Sequence, residues 1–198
     1  MFISTSQLKK LMSADYKARG IRIGHKEEGY VILGNTWGIW IDADHIPNKV
    51  KALIMEFSGI LPSVDTVFIV SKEKPLPQYE FDFNTDYFYL NERCFDAKNP
   101  VTMTNVLLDK KYNVFNLLQI NKTQSLKLLS KSLYDLIDLS ELDLEIENTP
   151  SGPCTYDGAT FFWNNATCTL LLLGTQASDD DKVIQTLSEI DFEKEMNK

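Results

Sequence analysis

At 198 residues, 43% hydrophobic and 11% aromatic, the chain can bury roughly 70% of its unfolded surface in one large or two small domains, which excludes a disordered protein. A formal net charge of −8 repels phosphate and anionic lipid, so any nucleic-acid contact has to come from a local basic face. Cys94, Cys154 and Cys168 are odd in number and lack C-x-x-C spacing, which argues against a disulfide framework or a structural zinc site and for reduced thiols.

Ser4, Thr5 and Ser6 can cap a helix carrying Leu8, Leu11 and Met12 at helical spacing, and Gly20 ends it. Segments 21–24, 30–33 and 37–41 read as a three-stranded meander, with Gly34-Asn35 suited to a tight two-residue turn. Pro47 stands where a helix can begin. Val50, Leu53, Ile54 and Phe57 then trace an apolar stripe that stops at Gly59. Segment 66–70 is a buried-looking strand, and 79–83 and 87–90 alternate apolar with polar around a hairpin expected at Asn84-Thr85-Asp86.

The polar stretch 96–100 ends in proline and marks a domain boundary, dividing the chain into 1–95 and 101–198. Segments 101–108 and 112–120 fit strands, although Phe115, Leu117 and Leu118 also tolerate a short helix. Leu126, Leu129, Leu133, Leu136 and Ile137 form the face of an expected third helix, followed by a strand at 142–147 and a loop at 149–153. Asn164-Asn165 turns a second hairpin, whose returning arm is 167–173. Ser178 caps the last helix, with Asp179, Asp180 and Asp181 at its positive end. The plan of helix, meander and helix thus occurs twice.

Candidate chemistry is sparse. Asp42, Asp44 and His45 include metal-ligand types, but no second cluster completes a site, and the strand-to-helix transition before Pro47 explains them. Asp179 to Asp181 read as a solvated helix start. His25 and His45 lie in no nucleophile motif, and neither a P-loop nor a Rossmann glycine pattern is present. Trp37, Trp40 and Trp163 could stack on bases, yet their places in the two hairpins favour core packing. The expectation is a protein without catalytic residues, metal or cofactor. The first ten residues lack the pattern of a secretory signal, and 170–173 is too short to span a membrane, which implies a cytoplasmic protein.

Charge is distributed unevenly. Lys9, Lys10, Lys17 and Arg19 stand against Asp15 alone on the first helix, where Lys10, Ser13 and Lys17 share a stripe facing away from Leu8, Leu11 and Met12. Lys49 and Lys51 outnumber Glu56 on the second helix, and Lys127 and Lys131 are expected one turn apart on the third. Each set is explicable as solvated surface. Together they form candidates for contact with phosphate backbones.

The run Trp40-Ile41-Asp42-Ala43-Asp44-His45-Ile46-Pro47, the helix over 50–57, Gly59-Ile60-Leu61-Pro62 and the strand at 66–70 resemble the middle of a sliding-clamp domain. So does the helix and meander before them. Processivity clamps of DNA polymerases repeat β-α-β-β-β units, are acidic overall, and line a channel with Lys- and Arg-bearing helices. The resemblance covers mainly residues 1–95. It implies an α+β fold of repeated helix plus antiparallel meander units, with four helices packed on antiparallel sheets. It also implies that Lys9, Lys10, Lys17, Arg19, Lys49, Lys51, Lys127 and Lys131 face double-stranded DNA in a homo-oligomeric ring. The chain departs from a complete second clamp domain, because no strands follow the last helix and 178–198 is acidic.

The expected function is a non-enzymatic DNA-replication accessory of a phage or mobile element, tethering a DNA polymerase or another host protein. The alternative is an acidic phage-type inhibitor that mimics nucleic acid against a host enzyme, working through Asp179, Asp180, Asp181, Glu189, Asp191, Glu193 and Glu195.

Overall fold

A computed structural model describes residues 1–26, 28–80, 89–110, 112–178 and 181–196. The order is α1 (Thr5–Ala18), β1 (Ile21–Lys26), β2 (Gly29–Leu33), β3 (Trp37–Asp42), α2 (Asn48–Ser58), β4 (Thr66–Val70), β5 (Gln78–Tyr79) and α3 (Leu90–Asp96). Then come β6 (Asn99–Lys110), β7 (Asn113–Ile120), β8 (Leu126–Ser130), α4 (Lys131–Tyr134), β9 (Ser151–Thr155), β10 (Thr160–Asn164), β11 (Cys168–Leu173), β12 (Thr175–Gln176), α5 (Lys182–Ser188) and α6 (Phe192–Met196).

Among the described residues this is an α+β fold built on one antiparallel sheet of 12 strands, in the order β12-β8-β7-β6-β9-β10-β11-β3-β2-β1-β4-β5. Two meanders, β1-β2-β3 and β9-β10-β11, meet where β3 pairs with β11, from Trp37 opposite Leu172 to Ile41 opposite Cys168. Residues on either side of position 100 therefore share one hydrogen-bonded sheet.

Strand alternation sends side chains to two covered faces. On one face, Leu8 and Met12 of α1, Val50, Leu53 and Ile54 of α2, and Leu133 of α4 close over Ile23, Ile32, Ile39, Leu129, Phe161 and Leu170 in the main core. On the other, α3 covers Val31, Phe162 and Leu171 through Leu90, while Ile184 of α5 and Phe192 of α6 cover Leu117, Leu126 and Leu128. α1 and α2 follow the expected stripes. α2 ends at Gly59, whose φ of 75° lets its N–H bond back to Met55 O at 2.9 Å.

Several expectations need correction. Residues 126–130 form β8, paired with β7 from Gln119 opposite Leu126 to Phe115 opposite Ser130, and only Lys131–Tyr134 of the expected third helix is helical. Leu126 and Leu128 enter one core and Leu129 the other, so a strand buried on both sides mimics an apolar helical stripe. The helices are six rather than four among the described residues.

Residues 142–147 form a turn instead of a strand, since the Asp143 carbonyl accepts the N–H groups of Ile146 and Glu147 at 3.0 and 2.7 Å. Residues 151–153 of the loop expected at 149–153 belong instead to β9, which pairs with β10. Leu90 begins α3, and the hairpin expected at Asn84-Thr85-Asp86 lies outside the described residues. The helix expected after Ser178 is α5, and it is capped by Asp181, whose carboxylate accepts from Val183 N–H at 3.0 Å, and not by Ser178.

Both hairpin tips fall later than expected. Gly34 N–H bonds Trp37 O at 2.9 Å and Asn165 N–H bonds Cys168 O at 3.0 Å, leaving Asn35-Thr36 and Ala166-Thr167 at the tips. Gly34 is needed for space: a Cβ there would lie 2.2 Å from both Asp15 Oδ2 and Trp37 Nε1.

Candidate nucleic-acid interface

α1 is held to the sheet by Leu8 and Met12 and to α2 by Tyr16, whose ring centroid is 5.4 Å from that of Phe57. With 3.6 residues per turn, Lys10 and Lys17 then project away from the sheet, and both are exposed. Neither forms an ion pair with a described residue, and the same holds for Arg19 and Lys51. Arg19 is exposed at the α1 C-terminus, where cations also oppose the negative end of the helix dipole. Lys51 is half-buried on the flank of α2.

The remaining candidates are engaged. Lys9 Nζ lies 2.7 Å from Glu56 Oε1, joining α1 to α2. Lys49 pairs with Glu141 and Lys131 with Asp135. Lys127 bonds Gln176 across the β8–β12 pair, so it does not stand one helical turn from Lys131. α1, α2 and α4 nevertheless share one side of the sheet, because all three close the same core. Exposed pairs of this kind contribute about 0–1 kcal/mol each, little enough for a phosphate to displace the carboxylate.

The fold adds cations that residue spacing does not reveal. Lys72 N–H donates to Tyr16 O at 2.8 Å, and Gly20 packs against Val70 and Ser71, so the turn after β4 abuts the C-terminal end of α1. Exposed Lys72 and Lys74 thereby belong to the same end of the molecule as Lys17 and Arg19, accompanied by Glu73. No local pattern signals this juxtaposition, which depends on β4 pairing with β1.

The other candidates have structural work. Asp42 Oδ1 lies 2.8 Å from His45 Nδ1 and accepts Asp44 N–H at 2.9 Å, closing the turn before α2. Among the described residues no group of three or more His, Cys, Asp or Glu side chains is placed to hold a metal ion. Trp37 and Trp163 are buried in the main core, and Trp40 packs against the second. All three cysteines are free thiols.

On the acidic C-terminal part, Asp181 pairs with Lys110 at 2.9 Å and Asp191 with Lys194 at 2.7 Å. Those lysine hydrogen bonds hold both carboxyls below the usual range. Asp179 and Asp180 lie outside the described residues. No described helix is long and apolar enough to cross a membrane.

Comparison with protein-family models, with curated proteins and with solved structures finds no match to this chain.

Proposed function

We propose that this protein is a non-catalytic DNA-replication accessory of the sliding-clamp kind, holding duplex DNA through its phosphates while another surface tethers a polymerase. The single observation that supports it is the outward stripe of α1. Lys10 and Lys17, with Arg19 and the neighbouring Lys72 and Lys74, form a cationic set without ion-pair partners among the described residues, in a chain of net charge −8. Such a local field attracts polyanions while the acidic remainder repels non-specific contact. Closing a ring requires two or more copies.

The test has two arms. Solution mass is measured against concentration, and retention on nicked circular DNA is compared with retention on linear DNA of the same sequence. The expected result is an oligomer that slides off linear DNA and stays on circles. In the second arm, binding is followed from 50 to 200 mM salt. Each lost phosphate contact reduces the log–log slope by about 0.9, so replacing Lys10 and Lys17 by Ala lowers it by about 2. A concentration-independent monomer that retains neither DNA refutes the proposal.

A further inference from the structure

Between α4 and β9 lie Asp138, Leu139 and Ser140, and then acidic and aliphatic residues alternate: Glu141, Leu142, Asp143, Leu144, Glu145, Ile146, Glu147. Of the four aliphatic side chains only Leu142 packs against the core. Leu144, Ile146 and Leu139 are 78%, 59% and 53% exposed.

The backbone beneath them is tied at both ends. Ile137 bridges to Ile3, and Asp138 N–H donates to Phe2 O at 2.9 Å. At the other end Glu147 is buried, accepting hydrogen bonds from the Met1 α-ammonium, the Thr167 hydroxyl and Asp143 N–H. Burial alone would raise its pKa, but these donors outweigh burial and hold the carboxyl lowered and ionised. Asp138 caps the first turn of the segment by accepting Ser140 N–H at 3.0 Å.

The segment thus holds three aliphatic side chains in water on an ordered turn, with exposed Asp143 and Glu145 between them. Exposed aliphatic side chains this close in the chain offer apolar area that a partner can bury. The interleaved carboxylates decide its chemistry. Anionic lipid is repelled, whereas a cationic segment gains charge-assisted hydrogen bonds as its own aliphatic groups are buried. Glu141 already makes such a contact within the chain, to Lys49.

We propose that residues 138–147 dock a partner protein's segment in which aliphatic side chains alternate with Lys or Arg. This surface is distinct from α1, and its Glu141 is the partner of Lys49 on α2.

The probe is a fluorescein-labelled decapeptide of alternating Leu and Lys, titrated with the full chain by fluorescence anisotropy. Peptides alternating Lys with Ser and Leu with Glu serve as controls. The Leu-Lys peptide should bind, and L144S/I146S should weaken it at least tenfold without moving the thermal midpoint, because both side chains are exposed. Glu145→Lys should also weaken it, while K10A/K17A should leave it unchanged. Equal binding by L144S/I146S, or equal affinity for the Lys-Ser peptide, overturns the proposal. So does self-association of the wild-type chain that L144S/I146S abolishes, since a second copy would then cover the turn.

Discussion

Gln119, fully buried on β7, is the hydrogen-bond anchor of the C-terminal helices. Its Oε1 accepts Phe192 N–H at 2.8 Å, and its Nε2 donates to Ile190 O at 2.7 Å and to Gln124 O at 3.4 Å. Gln119→Leu preserves approximate volume but strands a buried N–H and a carbonyl at the start of α6, each costing about 1–3 kcal/mol. The segment can relieve that cost by leaving the surface, at the expense of the contacts of Phe192 with Leu117, Leu126 and Leu128. The net loss should therefore settle near ~2 kcal/mol, which lowers the thermal midpoint by about 4–8 °C for a chain of this size. Calorimetry measures the midpoint, and amide hydrogen exchange locates the loss. Exchange should accelerate at Phe192 and through α6 while the amides of β2 and β3 keep their protection. An unchanged midpoint with unchanged protection at Phe192 would show that the amide triad does not hold the helices.

Gly34→Ala should destabilise by about 1–3 kcal/mol, because the new methyl overlaps Asp15 Oδ2 and the Trp37 indole; tryptophan fluorescence during urea unfolding reports the loss. Asp157 gives a pH test. Burial pushes its carboxyl up, but the N–H groups of Thr160 and Ala159 and the hydroxyls of Thr160 and Thr155 outweigh burial and lower the pKa. A lowered folded-state pKa contributes stability that is fully present above the ordinary value of 3.8 and lost as pH falls through the folded one. Asp157→Asn should accordingly flatten the acid limb of a stability–pH curve measured by urea titration from pH 6 to roughly pH 2. Burial raises the Cys94 thiol to about 11, reinforced by Cys154, and also raises Cys154 and the fully buried Cys168. Iodoacetamide at neutral pH should therefore label all three slowly, with Cys168 reacting only on unfolding, as mass spectrometry of the native and denatured chain would register.

What a short window of residues dictates appears where it should. Leu8 and Met12, and Val50, Leu53 and Ile54, recur at helical spacing and terminate near glycines, so α1 and α2 can be read directly. The meander of β1 to β3 and the hairpin of β10 and β11 follow from short apolar runs bounded by polar turns, and the solvent-facing cations of α1 follow from helical phase. Residues 126–130 read as helix because a strand buried on both faces loses its alternation, and 142–147 reads as strand although carboxylate and carbonyl groups draw its N–H groups into a local turn.

The sequence alone determined composition, charge asymmetry and the elements whose hydrogen bonds close within a few residues. Tertiary structure decided the β3–β11 junction, the burial of Gln119 and the meeting of Lys72 and Lys74 with α1. Those contacts join residues far apart in the chain, and their free energy comes from excluding water between surfaces that exist only once the sheet has assembled.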